Sequence, residues 1–126
     1  MPVIQIRYNQ QVVGETAIVA IAKNLPAVAA NVLTCAESII LEPQHIMLEI
    51  DPARALDVNC KDINVRVWSH DFPGRRDRID MIRNRIAKEL LAHLPSGATW
   101  YVWILLAPTS YGSDTEEVRL SLARPN

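Results

Sequence analysis

Hydrophobic and polar residues alternate almost from the first position. In Val3-Ile4-Gln5-Ile6-Arg7-Tyr8, Ile4 and Ile6 fall on one side and Gln5 and Arg7 on the other, which predicts a half-buried strand. From Glu15 to Thr34 the period changes. Ile18, Ile21, Ala22, Leu25, Val28, Ala29, Val32 and Leu33 recur at steps of three and four, predicting a helix with one buried face. Pro26 removes a helical hydrogen bond and clashes one turn back, so a kink near Lys23 and Asn24, or two short helices, is expected. Alternation returns in His45 to Ile50, with Ile46, Leu48 and Ile50 inward, and again in Ile63 to Ser69, with Ile63, Val65 and Val67 inward. Phe72-Pro73-Gly74 is a turn signal. Ile79, Ile82, Ile86, Leu90 and Leu94 then mark a second amphipathic helix, Arg76 to Leu94, closed by Pro95-Ser96-Gly97. Trp100 to Leu106 is a fourth strand, apolar on both faces, and Glu117 to Leu122 suggests one more short strand in a polar tail.

The order is β-α-β twice, with units starting about 60 residues apart at Val3 and Ile63. Each unit implies a crossover and a parallel strand pair. The expected fold is a single α+β domain over 1–126, with pseudo-repeat halves at 2–51 and 63–107 and a tail at 108–126. It would be a four-stranded sheet with two helices on one face. The open sheet face would carry Gln5, Arg7, Met47, Glu49, Asn64, Arg66 and Trp68, a mixture suited to burial against other subunits.

Composition narrows the function classes. At 126 residues, 49 % hydrophobic and 21 % charged, the chain reads as one ordinary globular domain. A formal net charge of −1 argues against a nucleic-acid binder. No apolar run approaches the roughly 20 residues that span a bilayer, and no secretory signal is evident, so the expected setting is cytoplasmic with no membrane partner. Cys35 and Cys60 form neither a disulfide framework nor a metal-ligand cluster, and no cofactor is expected. Charge is balanced globally but not locally, since six of the 13 basic residues lie within 75–88.

Three short places carry a family resemblance: Met1-Pro2-Val3, Arg75-Arg76-Asp77-Arg78 before the second long helix, and Pro108 to Tyr111-Gly112 after the last strand. Together with the element order over nearly the whole chain, they make it resemble the tautomerase superfamily. The resemblance implies that Met1 is removed and that the secondary amine of Pro2 acts as general base or acid. A free α-amino group starts near pKa 7.7–8.0, and desolvation and nearby cations push it lower, toward an efficient base at neutral pH. With Met1 retained, the Pro2 nitrogen would be an amide without basicity. The resemblance further implies a substrate carboxylate held by Arg75 or Arg76, whose planar forks suit that role. Tyr111 would polarise a carbonyl or form a wall, and the assembly would be a homotrimer. Arg7, five residues from Pro2, is a further candidate for the pocket or for an ion pair between subunits. The corresponding place in the first half, Gln10-Gln11, has no Arg.

The remaining candidates have plainer readings. Arg78 reads as part of a solvated basic turn paired with Asp77 and Asp80, and Trp68 and Trp103 as interface or core residues. His45 and His70 lack metal-site spacing, and His70 has a weak claim on the pocket. The expected function is cofactor-independent proton transfer on a small enol or 2-oxo acid. Hydration chemistry of the dehalogenase or decarboxylase kind would need a second acid/base, for which Glu49, Asp51 and Asp114 are candidates. A non-enzymatic oligomeric ligand-binding module is the alternative of another class.

Overall fold

In the computed structural model, which describes residues 1–112 and Asp114, the chain forms strands β1 (Val3–Tyr8), β2 (Met47–Pro52), β3 (Ile63–His70) and β4 (Trp100–Ala107). Three helices accompany them: α1 (Glu15–Leu33), a four-residue α2 (Pro73–Arg76) and α3 (Ile79–Leu91), with a 3-10 turn at Pro43–His45. The sheet order is β2-β1-β3-β4. β1 and β2 are parallel, β3 and β4 are parallel, and β1 runs antiparallel to β3 in the centre. This is the expected pair of β-α-β units joined edge to edge. The suggested strand at Glu117 to Leu122 lies outside the described residues.

Period two explains which face is covered. Ile4 and Ile6 of β1 stand beside Val67 and Val65 of β3, and beside Leu48 and Ile50 of β2. Val65 and Val67 in turn face Val102 and Ile104 of β4. Onto this apolar face α1 sets Ile18, Ile21, Leu25, Ala29, Val32 and Leu33, and α3 sets Ile82, Ile86 and Leu90, all buried in one cluster. The two long helices pack on each other, so they share one side of the sheet. By length and mean hydropathy alone α1 is apolar enough to cross a membrane, yet its apolar stripe is the part that packs into the core.

The structure decides one alternative and shifts one boundary. At Pro26 the two short helices do not form: α1 is one helix that runs through the proline, because Leu25, Ala29 and Ala30 on either side of it are buried in the same core and hold both segments to it. The second predicted helix is interrupted. Arg76 ends the short α2, and α3 begins only at Ile79. Arg78, at the junction, has φ −119° and ψ 20°. Its side chain donates back to the carbonyls of Gly74 (Nε, 2.9 Å) and Thr34 (Nη2, 3.0 Å). It therefore satisfies carbonyls of the short α2 and of the α1 C-cap instead of pairing with Asp77 or Asp80.

The other sheet face is open in the single chain. Gln5, Met47, Glu49, Arg66, Trp68, Tyr101 and Trp103 all stand exposed on it, and Trp103 keeps 53 % of its surface accessible. Such a contiguous aromatic stretch is unusual on a face that stays in water.

Candidate active site

The cleft opens where the N-terminal end of β1 meets the C-terminal ends of β3 and β4. Antiparallel pairing brings Val3 opposite Trp68, so the chain terminus lies beside the last residues of β3. Pro2 is buried, and its carbonyl accepts the Met47 N–H at 3.0 Å, which fixes the terminus to the start of β2. A cavity of about 740 Å³ is lined there by Met1 and Pro2, by Ser69, His70 and Arg75, and by the loop that follows α1, including Glu37, Ser38 and Ile39. Thr109 and Tyr111 close it from beyond β4, and Trp68 forms a wall, its Nε1–H held by Gln5 Oε1 at 3.0 Å.

Arg75 is the centre of the site. Only 3 % of it is accessible. Its Nε donates to the Leu33 carbonyl (2.8 Å), and its Nη1 to Ser69 Oγ (2.6 Å) and to the His70 carbonyl (3.3 Å). The Phe72 ring lies 4.9 Å from the guanidinium carbon. Among the described residues Nη2 has no hydrogen-bond partner, which leaves two N–H groups for a ligand. Burial pushes the guanidinium pKa down, and the positive charge of Arg78 adds to this, while Cys35 and Glu37 pull the other way. Such a buried cation gains when an anion arrives.

With Met1 in place, the terminal amine is that of Met1. Burial in the cleft, and then the charge of Arg75, hold it below its ordinary value of 8.0. Both causes disfavour the ammonium form.

The expected site residues separate into two groups. Pro2, Arg75 and Tyr111 meet in the cleft. Arg76 and Arg7 do not. Arg76 points away from it and pairs with Asp71 (3.0 Å), because neighbouring residues on a helical turn project about 100° apart. Arg7 pairs with Asp57 of the β2–β3 connection (3.2 Å). It faces a separate hollow of about 350 Å³ with Glu49, Asp51 and Arg66. Two of the three candidate second acids thus line that hollow and not the cleft, and Asp114 lines neither.

The carboxylate that does line the cleft, Glu37, escaped the sequence reading because the segment between α1 and Pro43 has no periodicity. Its Oε1 accepts the Gly74 N–H at 2.7 Å. Ser69 had a readable signal: it continues the inward positions Ile63, Val65 and Val67, and a hydroxyl on that side calls for a buried polar partner. His70 and His45 also line the cleft. Among the described residues no group of three metal-ligating side chains occurs.

No family model matches the chain, and no curated protein does. Solved structures are similar over nearly its whole length. A macrophage migration inhibitory factor-like protein from Entamoeba histolytica has a TM-score of 0.63 at 14 % identity, over 90 % of this chain and 95 % of that one. A fused 4-OT, solved as an asymmetric trimer, has 0.61 at 12 % identity, over 97 % and 99 %. A malonate semialdehyde decarboxylase inhibited by 3-bromopropiolate has 0.57 at 15 % identity, over 98 % and 99 %. All are tautomerase-superfamily proteins, and the fold of this chain is the tautomerase fold.

Gly74 ties the two walls of the cleft together. A Cβ at this position would lie 2.9 Å from Cys35 Cβ and 3.1 Å from Glu37 Oε1. Gly74→Ala is expected to displace the loop after α1 and to lower stability by about 1–3 kcal/mol, as overpacking does. Urea denaturation of both proteins measures the change.

Proposed function

We propose that the chain is a cofactor-independent enzyme that moves a proton on a small enol or 2-oxo carboxylic acid, with the Pro2 amine, freed by removal of Met1, as its acid/base. One observation carries this reading: the N-terminus and a buried Arg75 with two spare N–H donors share a single cleft, and the arginine helps to hold the amine below its usual pKa. Removing Met1 moves the amine one residue further in, to the buried Pro2, where the same two causes act on it.

In the enolising direction the Pro2 nitrogen takes a proton from the carbon next to the 2-oxo group. The C–H electron pair forms the C=C bond, and the carbonyl π pair moves onto oxygen. The resulting ammonium then delivers its proton to that oxygen, and ketonisation is the reverse. Arg75 Nη2 holds the carboxylate throughout, and Tyr111 bounds the cleft at its rim. Glu37 supports a second reading within the same site, hydration or decarboxylation of a short unsaturated or keto acid, because it is a carboxylate on the cleft wall.

The test is ketonisation of phenylenolpyruvate across pH. In ketonisation the free amine first takes the enol O–H proton and then delivers it to carbon, so kcat/KM in this direction rises with pH and levels off. The midpoint is expected below the 7.7–8.0 of an ordinary terminal amine. Pro2→Ala is expected to lower turnover by about 100-fold or more. Arg75→Met should raise KM by about 10-fold to 100-fold and move the midpoint upward. Equal rates in wild type and Pro2→Ala contradict the mechanism.

The exposed face with Tyr101 and Trp103 supports a homo-oligomer, and a homotrimer is the proposed form. Trp103→Asp is expected to shift the protein to a monomer in light scattering, with its far-ultraviolet circular dichroism retained. An unchanged oligomer would place the contact elsewhere.

A further inference from the structure

His70 is held in a way that the proposed reaction does not yet use. Its Nδ1 accepts the backbone N–H of Thr109 at 3.1 Å, and the Thr109 hydroxyl lies 3.0 Å from the same nitrogen. A backbone N–H can only donate, so Nδ1 carries no proton in this geometry, and the neutral ring carries it on Nε2. Among the described residues nothing accepts that Nε2–H. The ring is tilted at 60° against Phe72, with centroids 4.5 Å apart, and its own carbonyl is held by Arg75 Nη1 at 3.3 Å. The position is therefore fixed at the ring, at the backbone and at the acceptor nitrogen. The ring lines the same cleft as Pro2 and Arg75.

We propose that His70 is a second substrate-contacting group, a neutral imidazole whose pre-set Nε2–H donates to the 2-oxo or enolate oxygen. This rests on the proton-transfer reading of the cleft and adds to it the group that receives the developing charge. Arg75 binds the carboxylate, Pro2 moves the carbon-bound proton, and His70 stabilises the oxygen that gains electron density. His70 loses no proton in the step. A donor fixed before the reaction needs no reorganisation as charge builds. The substrate class follows: a carboxylate with an adjacent oxo or enol oxygen, spanning Arg75 and His70.

Two measurements test this. Imidazole nitrogen NMR of the wild-type protein is expected to find His70 protonated at Nε2 and bare at Nδ1. A His70 with its proton on Nδ1 overturns the proposal, whatever the enzyme does. On phenylenolpyruvate, His70→Leu is expected to lower kcat by about 100-fold with KM changed by less than about threefold. His70→Gln, whose amide can accept from Thr109 and still donate from Nε2, should restore at least about tenfold of that loss. A Leu variant as fast as wild type, or a Gln variant as slow as the Leu variant while folded by circular dichroism, overturns it. If neither wild type nor Pro2→Ala turns over the enol, the proton-transfer reading has failed. In that case titration with phenylpyruvate decides for His70: its Nε2 resonance moves on binding if the contact exists and stays in place if it does not.

Discussion

A single buried guanidinium joins the parts of this molecule that have to meet. Arg75 bonds the last carbonyl of α1, the inward hydroxyl at the end of β3 and the backbone of His70, and it stacks over Phe72. These contacts link the first β-α-β unit to the second. An isolated charge in such a place is costly, and partial pairing lowers that cost without removing it. Its three donor contacts go to neutral groups, and Glu37 and Cys35 offset the positive charge only in part. The same arrangement that binds the halves together thus keeps a standing demand for an anion at the cleft, and it depresses the ionisation of the terminal amine beside it.

The two halves are alike in topology but not at their ends. Antiparallel pairing of β1 with β3 places the start of one beside the end of the other, so the sheet has two comparable ends. At the far end the chain is continuous into β3: Asp62 and Thr99 exchange hydrogen bonds of 2.8 and 3.0 Å, and Asn9 N–H reaches the Asp62 carbonyl at 2.8 Å. Among the described residues the terminal amine lies at the near end, beside Arg75, and the matching place at Gln10-Gln11 has no arginine.

Much of the fold was legible because its elements obey simple periods. Ile4, Ile6, Val65 and Val67 alternate, and Ile82, Ile86 and Leu90 recur at helical steps. What was not legible depends on contacts distant in sequence. The break between α2 and α3 follows from Arg78 reaching Thr34, 44 residues away. The continuity of α1 through Pro26 follows from burial on both sides of it. In the site, Arg75 and Arg76 are indistinguishable as neighbouring arginines, and only the direction of a short helical turn separates the buried one from the surface ion pair with Asp71. Arg7 has the same history, since its partner Asp57 lies 50 residues on in an aperiodic loop. Glu37 and the role of Thr109 in orienting His70 had no local signal.

The proposed function requires the cleft to make one terminal amine unusually ready to react at neutral pH. The most direct measurement is intact mass of the purified protein before and after brief exposure, at neutral pH, to a limiting amine-reactive electrophile, with the adduct mapped by peptide sequencing. The expected result is a mass lacking Met1 and a single adduct on Pro2. Retained Met1, or label spread over Lys23, Lys61 and Lys88 with Pro2 unmodified, would contradict it.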